Sequence, residues 1–217
     1  MSNKAVRELP ENYVLRQTLD LNKNVKLAIG LNLASLVLFV LFGVLFFGLL
    51  SLARPGLMFE EDFVTSGLFA SESIFTRFLF FALLYLGMIV LHEVVHGLFF
   101  WLFTKDRPKF GFRGLYAYAG APDWYLAKWP YLIVGLAPLV LISVVGFIAM
   151  LFVPIQWVFP ILFFITLNAS GAVGDIYAFF WILPMPNGIL VQDIGDRMEV
   201  FGPNELMSET VENSAAE

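Results

Sequence analysis

The sequence predicts an all-α membrane protein with about four transmembrane helices. Its composition is 59% hydrophobic and only 14% charged, whereas a soluble domain is roughly 45 to 50% apolar. Four apolar stretches are also long enough to cross a hydrocarbon core, which takes about 20 helical residues. These stretches lie near 27 to 52, 76 to 103, 130 to 153 and 157 to 183.

The charged residues predict how the spans are oriented. Lys and Arg are concentrated before the first span and between the second and third, whereas the loop between the first two spans is mainly acidic. By the positive-inside rule, both termini and the 104 to 129 loop face the cytoplasm. We therefore expect an integral, multi-pass protein, which we place in a prokaryotic cell membrane. Its predicted parts are a cytoplasmic segment at 1–26, a transmembrane domain at 27–183 and an acidic tail at 184–217 that is disordered after about residue 203.

The cytoplasmic loop between spans two and three is predicted to form a short β-hairpin. Aromatic residues alternate on each side of Gly114, at Phe110 and Phe112 before it and at Tyr116 and Tyr118 after it. Alternation around a glycine is typical of two short strands joined by a turn. The free edge of such a hairpin could pair with an extended substrate segment. The alternative is an aromatic loop anchored at the lipid headgroups.

Both histidines of the chain lie in one string, His92-Glu93-Val94-Val95-His96, inside the second apolar stretch. Positions i and i+4 share one face of a helix, so both imidazoles can bind one metal ion while Glu93 reaches a water molecule on that ion. Charged side chains at mid-span cost roughly 2.5 to 3.5 kcal/mol each, which makes them functional candidates. The string therefore predicts a zinc hydrolase site. The alternative is a structural pair of histidines bonded to nearby backbone or polar groups.

The third metal ligand is predicted to be a carboxylate. A catalytic zinc ion usually has three protein ligands, and the chain contains neither cysteine nor a third histidine. Asp175 is the candidate, because no other acidic residue is predicted within a span. Its depth, about 12 Å from the cytoplasmic end of its span, is close to the value of about 10 Å for His96 on a parallel span. An ion pair or a helix cap is the alternative role for Asp175, and Asp193 and Asp196 are reserve ligands in the tail.

Asn168 is a further candidate for the site. It precedes Asp175 by two helical turns, so both side chains point in the same direction. The residues between them are mostly small, which lets helix backbones approach closely in lipid. Asn168 could bind substrate, by donating a hydrogen bond to a carbonyl or to the oxyanion of a tetrahedral intermediate, or it could brace a metal ligand.

With HEVVHG in one span and an Asn and an Asp seven residues apart in a later one, the chain resembles the membrane-embedded zincin families. These include the site-2-protease-like enzymes and, more closely, an uncharacterised family catalogued as putative zincin peptidases, whose resemblance covers most of the chain. The resemblance implies that His92 and His96 are metal ligands, Glu93 is the general base and Asp175 is the third ligand.

Together these features predict a membrane-embedded zinc metallopeptidase that cleaves membrane-tethered proteins or peptides, with Zn²⁺ as its cofactor and the lipid bilayer as its surroundings. No basic face stands out, so no nucleic-acid partner is expected, and the sequence does not define an oligomeric state. The rival hypothesis is a non-catalytic metal-binding scaffold, or a degenerate peptidase, that binds membrane partners. An enzyme needs an exchangeable water at the fourth zinc position, whereas a scaffold would fill that position with protein.

Overall fold

The computed structural model describes residues 5–20, 23–59, 73–113, 116–195 and 197–204. The acidic loop predicted between the first two spans lies largely outside the described residues. The tail from residue 205 onward, for which the sequence predicts disorder, lies outside them as well.

Five α-helices account for most of the described chain. They are α1 (Val25–Ala53), α2 (Ile74–Thr104), α3 (Lys128–Phe152), α4 (Ile155–Gly171) and α5 (Val173–Ile182). The first three are long and apolar enough to cross a membrane. Helices α4 and α5 are bent by 40° at their junction, so they make a fourth span only when taken together. The sequence predicts one continuous span there, and the break falls among small residues, where glycine makes the helix least stable.

The long helices present apolar side chains on their outer surfaces. At about 1.5 Å per residue, the 29 residues of α1 and the 31 of α2 exceed a hydrocarbon thickness of roughly 30 Å. Leu36, Val44 and Phe78 are 66%, 68% and 72% exposed, respectively. Helices that are apolar on all sides and exposed in this way are suited to lipid. Three such helices are consistent with a membrane protein, and the orientation of the chain stays a prediction.

The fold is not purely α-helical, because the described residues also form two small sheets. One is an antiparallel four-stranded sheet whose strands follow the order β1 (Tyr13–Asp20), β6 (Arg197–Pro203), β5 (Leu190–Asp193) and β4 (Tyr125–Ala127). Strand β1 comes from the predicted N-terminal segment and strands β5 and β6 from the predicted tail. The all-α prediction is wrong here because these strands are short and their pairing joins distant parts of the chain, which leaves no local signal.

The second sheet is a two-stranded antiparallel ladder between α2 and α3. Strand β2 (Lys109–Arg113) pairs with strand β3 (Tyr116–Gly120), which places Phe110 opposite Ala119 and Phe112 opposite Ala117. This is the loop for which the sequence predicts a hairpin. Its location on the cytoplasmic side stays a prediction.

One of two compact units, here called the sheet unit, consists of Met1–Ala28, His96–Gly135 and Tyr177–Glu217. Its core includes Phe100, Leu126, Val191 and Val200, each at most 1% exposed. Lys128 is also buried, and its Nζ donates hydrogen bonds to the carbonyl oxygens of Leu183, at 2.7 Å, and Met185, at 2.5 Å. These bonds satisfy carbonyls just beyond the end of α5, where the helix provides no donors.

The other unit, the helical unit, consists of Ile29–Val95 and Leu136–Ile176. Its core is built from α1, α3 and α4 and includes Leu50, Met150, Val158 and Ile165. Gly146 allows α3 and α4 to pack closely, since an added Cβ would lie 2.3 Å from Ile165 Cγ2. Arg54 donates to the carbonyl oxygens of Met150, at 2.9 Å, and Val153, at 3.1 Å, which closes the end of α3.

Candidate metal centre

Helix α2 carries both histidines and Glu93. Because the helix is continuous from Ile74 to Thr104, the four-residue spacing places His92 and His96 on one face, with Glu93 about 100° around from His92. Both histidines are buried, at 9% and 8% exposure, and Glu93 is half-buried. Burial of ionisable groups at this spacing is what a metal site in a helix requires.

The break between α4 and α5 determines the position of Asp175. This residue is the acidic group in the first turn of α5, where the partial positive charge of a helix N-terminus favours a carboxylate. Its Oδ2 lies 3.2 Å from Nε2 of His92. A tetrahedral ion with bonds near 2 Å would place its ligand atoms roughly 3.3 Å apart. The separation of this pair therefore matches the spacing of two zinc ligands.

His92, His96 and Asp175 form a group that could hold a metal ion. Each residue offers one ligand atom, and the three atoms all lie within 4.8 Å of one another. Two imidazole nitrogens and one carboxylate oxygen are a donor set found in catalytic zinc sites, which keep the fourth position open. The structure thus places close together the three residues that were predicted from the sequence to be ligands.

The side chain of Asn168 fixes which nitrogen of His92 carries the proton. Asn168 is fully buried, and its Nδ2 donates to the carbonyl oxygen of Pro138 at 3.1 Å. Its Oδ1 is therefore the atom that faces Nδ1 of His92 at 3.0 Å, and an amide oxygen can only accept. Nδ1 of His92 is accordingly protonated, and whenever the ring is neutral Nε2 is an acceptor.

This assignment gives the strongest indication of a metal. Nε2 of a neutral His92 and Oδ2 of Asp175 are both acceptors, and they face each other at 3.2 Å. Two acceptors at this distance repel unless a proton or a metal ion lies between them. The residues present therefore fit a zinc ion, because their lone pairs converge on one place.

The ring of His96 is also held by a hydrogen bond at Nδ1, in this case to a backbone carbonyl. Its Nδ1 lies 3.0 Å from the carbonyl oxygen of Val134. A carbonyl oxygen accepts only, so Nδ1 donates and Nε2 keeps its lone pair. Metal-binding histidines usually donate their other N–H to a carbonyl or carboxylate in this way.

The hydrogen bonds of Asn168 favour a role in orienting His92 over a role in binding substrate. Both polar atoms of its side chain are engaged, one by His92 and one by the Pro138 carbonyl. Of the reserve ligands, Asp193 accepts hydrogen bonds from Tyr131 Oη and from the backbone N–H of Gly195, each at 2.8 Å, and it is not part of the metal group. Asp196 lies outside the described residues.

Sequence reasoning expected Pro138 to lie beside the metal but did not assign a role to the backbone carbonyls of Val134 and Pro138. Val134 and Pro138 act through main-chain oxygens, so their side chains give no sign of the role. The one available signal was a proline inside an apolar span, four residues after Val134. A helix proline leaves the carbonyl four residues before it without its usual N–H partner.

Comparison with known proteins gives one family match. Residues 85–190 match the model of a family described as "Putative zincin peptidase". This segment includes the two histidines, Glu93, Asn168 and Asp175. No curated protein and no solved structure matches the chain significantly. The predicted relation to site-2-protease-like enzymes stays a prediction.

Proposed function

We propose that this chain, whose residues 85–190 match a family described as "Putative zincin peptidase", is a membrane-embedded zinc metallopeptidase. The observation that carries the proposal is the convergence of His92, His96 and Asp175, whose ligand atoms lie within 4.8 Å of one another. A zinc ion bound there would supply a Lewis acid that polarises a peptide carbonyl and lowers the pKa of water. The family match supports the same chemistry.

Glu93 is the proposed general base and acid. It follows His92 directly in the same helix and is half-buried, and it is not part of the metal group. A Glu93 oxygen would accept a proton from the attacking water and then deliver it to the nitrogen of the leaving amine as the C–N bond breaks. The products would be a carboxylate and an amine, as in any peptide hydrolysis.

The proposed substrate is a membrane-tethered protein that is cleaved close to the cytoplasmic surface. This choice rests on the location of the site in helices that can cross a membrane, and on its predicted depth of about 10 Å. The β2–β3 hairpin is the proposed guide for the substrate. Within the described residues each strand pairs only with the other, so an extended segment could add to an outer edge.

The proposal is tested by cleavage in reconstituted membranes. Full-length protein is placed in liposomes with a single-pass substrate that carries a cytoplasmic tag, and the tag release rate is measured together with bound zinc. We expect Glu93→Gln to lower the rate by about 10²- to 10⁴-fold, the usual contribution of general acid–base catalysis, while zinc stays bound. Glu8→Gln is the matched control, since Glu8 is an exposed carboxylate of the sheet unit, and its rate should equal that of the wild type.

Three outcomes separate the hypotheses. A wild-type protein without stoichiometric zinc contradicts the metal site. Bound zinc with no cleavage of any tethered substrate would indicate the non-catalytic scaffold instead. Equal cleavage of a tethered substrate and of the same segment as a free peptide would contradict the proposed substrate class and leave the hydrolysis chemistry in place.

A further inference from the structure

We infer that Pro138 is a positioning residue that sets which nitrogen of each histidine faces the metal. It does so through two backbone carbonyls of α3, the oxygen of Val134 and its own. The inference rests on the proposed zinc site, because it concerns how the two imidazole ligands are prepared for the ion.

The first step concerns the Val134 carbonyl. In an α-helix the carbonyl of residue i accepts the N–H of residue i+4, so position 138 would normally supply the donor for Val134. Pro138 lies inside α3 and has no N–H to give. Val134 is only 1% exposed, so a buried carbonyl would remain without a helical donor, at considerable cost in free energy. The N–H at Nδ1 of His96, at 3.0 Å, fills this place.

The second step concerns the carbonyl of Pro138 itself. This oxygen accepts from Nδ2 of Asn168 at 3.1 Å, which determines the end of the amide that turns toward His92. If the amide were reversed, its NH₂ group would face Nδ1 of His92, and the ring would carry its proton on Nε2 instead. The Pro138 carbonyl therefore selects the Nδ1–H form of His92 through one intervening side chain.

Both rings are thereby fixed in the form that leaves Nε2 as the ligand atom. An imidazole without such a partner exchanges between its two neutral forms, and only one of them can bind the ion through Nε2. Loss of a supporting hydrogen bond of this kind typically lowers metal affinity by 10- to 100-fold. Residue 138 thus contributes to the pre-organisation of both ligands: its missing N–H leaves the Val134 oxygen for His96, and its own carbonyl oxygen orients Asn168 toward His92.

The test reads the protonated nitrogen directly by ¹⁵N NMR. The full-length, metal-free protein is labelled with ¹⁵N-histidine in nanodiscs, and because the chain has only 2 histidines, their ring nitrogens can be resolved. At a pH where both rings are neutral, we expect both to carry the proton on Nδ1. In Pro138→Ala, the restored N–H competes for the Val134 carbonyl. The signals of His96 should then shift toward the Nε2–H form, and zinc affinity should fall by about 10- to 100-fold.

The matched control is Pro160→Ala. Pro160 is a buried proline inside α4, and the carbonyl that it releases belongs to Gln156, so neither ring signal nor zinc affinity should change. Asn168→Leu provides the complementary case. It removes the acceptor of His92 and should shift only the His92 signals, while Asn168→Asp, which keeps an oxygen acceptor, should restore them.

Several results would overturn the inference. Ring signals in Pro138→Ala that equal those of the wild type would do so, as would changes in both rings that Pro160→Ala reproduces. An Nε2–H form of either ring in the wild-type protein would refute it even if no variant folds. The ring signals need neither zinc nor substrate, so the proposed peptidase activity can fail in the liposome assay while the inference about Pro138 survives.

Discussion

Two buried polar groups, one in the sheet unit and one in the helical unit, use their side chains in different ways. In the sheet unit, Lys128 donates to carbonyls beyond α5, and Tyr131 donates to Asp193, so each donor meets an acceptor. In the helical unit, His92 and Asp175 bring two acceptor atoms within 3.2 Å of each other. Paired donors and acceptors stabilise a fold as it stands, whereas facing acceptors need a proton or a metal ion between them. A candidate ligand site is therefore recognised by facing acceptor atoms, whereas a structural network pairs each donor with an acceptor.

Exchange of one acidic residue in each unit should give the largest effect. Asp175→Asn keeps the size of the side chain but removes its charge, so we expect zinc affinity to fall by more than about 100-fold, beyond the loss typical of a supporting contact. Asp193→Asn is the matched variant in the sheet unit and should leave zinc affinity unchanged. Competition with a metal chelator measures both values. A loss confined to Asp193→Asn would place the third ligand in the tail and contradict the assignment of Asp175.

Two glycine variants compare how tightly the units are packed. In Gly146→Ala the added Cβ would lie 2.3 Å from Cγ2 of Ile165, which is fully buried in the helical unit. We expect a loss of about 1 to 3 kcal/mol in the free energy of unfolding, as for an overpacked core. In Gly97→Ala the Cβ would lie 2.4 Å from Cζ of Phe110, whose ring is 56% exposed. This ring can rotate away at a cost of about 0.5 to 1.5 kcal/mol.

The gain in helix propensity from glycine to alanine is the same in both variants, so it cancels when they are compared. Thermal unfolding in one detergent gives the two midpoints. Equal shifts would mean that the hairpin packs on α2 as rigidly as α4 packs on α3.

The smallest expected effect is a pH dependence in the sheet unit. Asp106 accepts hydrogen bonds from Nη2 of Arg7, at 2.6 Å, and from Nε1 of Trp124, at 3.2 Å. These contacts, that with Arg7 most strongly, hold the pKa of Asp106 below its usual value of 3.8. A lowered pKa stabilises the fold above about pH 3.8, and this contribution disappears as the pH falls through the folded-state value. The group is exposed, so the effect should be small and weakened by salt.

Asp106→Asn removes this contribution. Its unfolding midpoint should lie slightly below that of the wild type at neutral pH, and the two midpoints should converge as the pH is lowered below about 3.8. Glu8→Gln serves as the control for loss of an exposed carboxylate. A difference that grows under acid conditions would contradict the assignment.

The parts of the fold with local signals could be predicted from the sequence. Helices α1 to α3 follow from uninterrupted apolar length, and alternating aromatic residues indicated the hairpin in which Lys109–Arg113 pairs with Tyr116–Gly120. The four-stranded sheet could not be predicted, because Tyr13 pairs with Pro203 and no local pattern encodes such a distant partner. The break at Ala172 was hidden because apolar length alone does not distinguish one bent span from a straight one.

Part of the candidate site could also be predicted from the sequence, because some of its residues give local signals. The spacing of His92 and His96 is a helix-face signal, and the position of Asp175 within an apolar span singled it out. The structure brings these three together. The role of the Val134 carbonyl could be foreseen only in part, because Pro138 indicates that this oxygen lacks its helical donor but only the fold determines which side chain meets it.

The pairing of β1 with β6 has a consequence for how the protein is made. Strand β1 leaves the ribosome about 180 residues before its partner, given that Asp20 pairs with Arg197. At 5 to 20 residues per second, that interval is about 10 to 35 s. During this time the helices can enter the bilayer while β1 lacks the neighbour that it pairs with in the finished sheet. Completion of the sheet is therefore a late event in biogenesis, and it depends on the translation of residues near position 200.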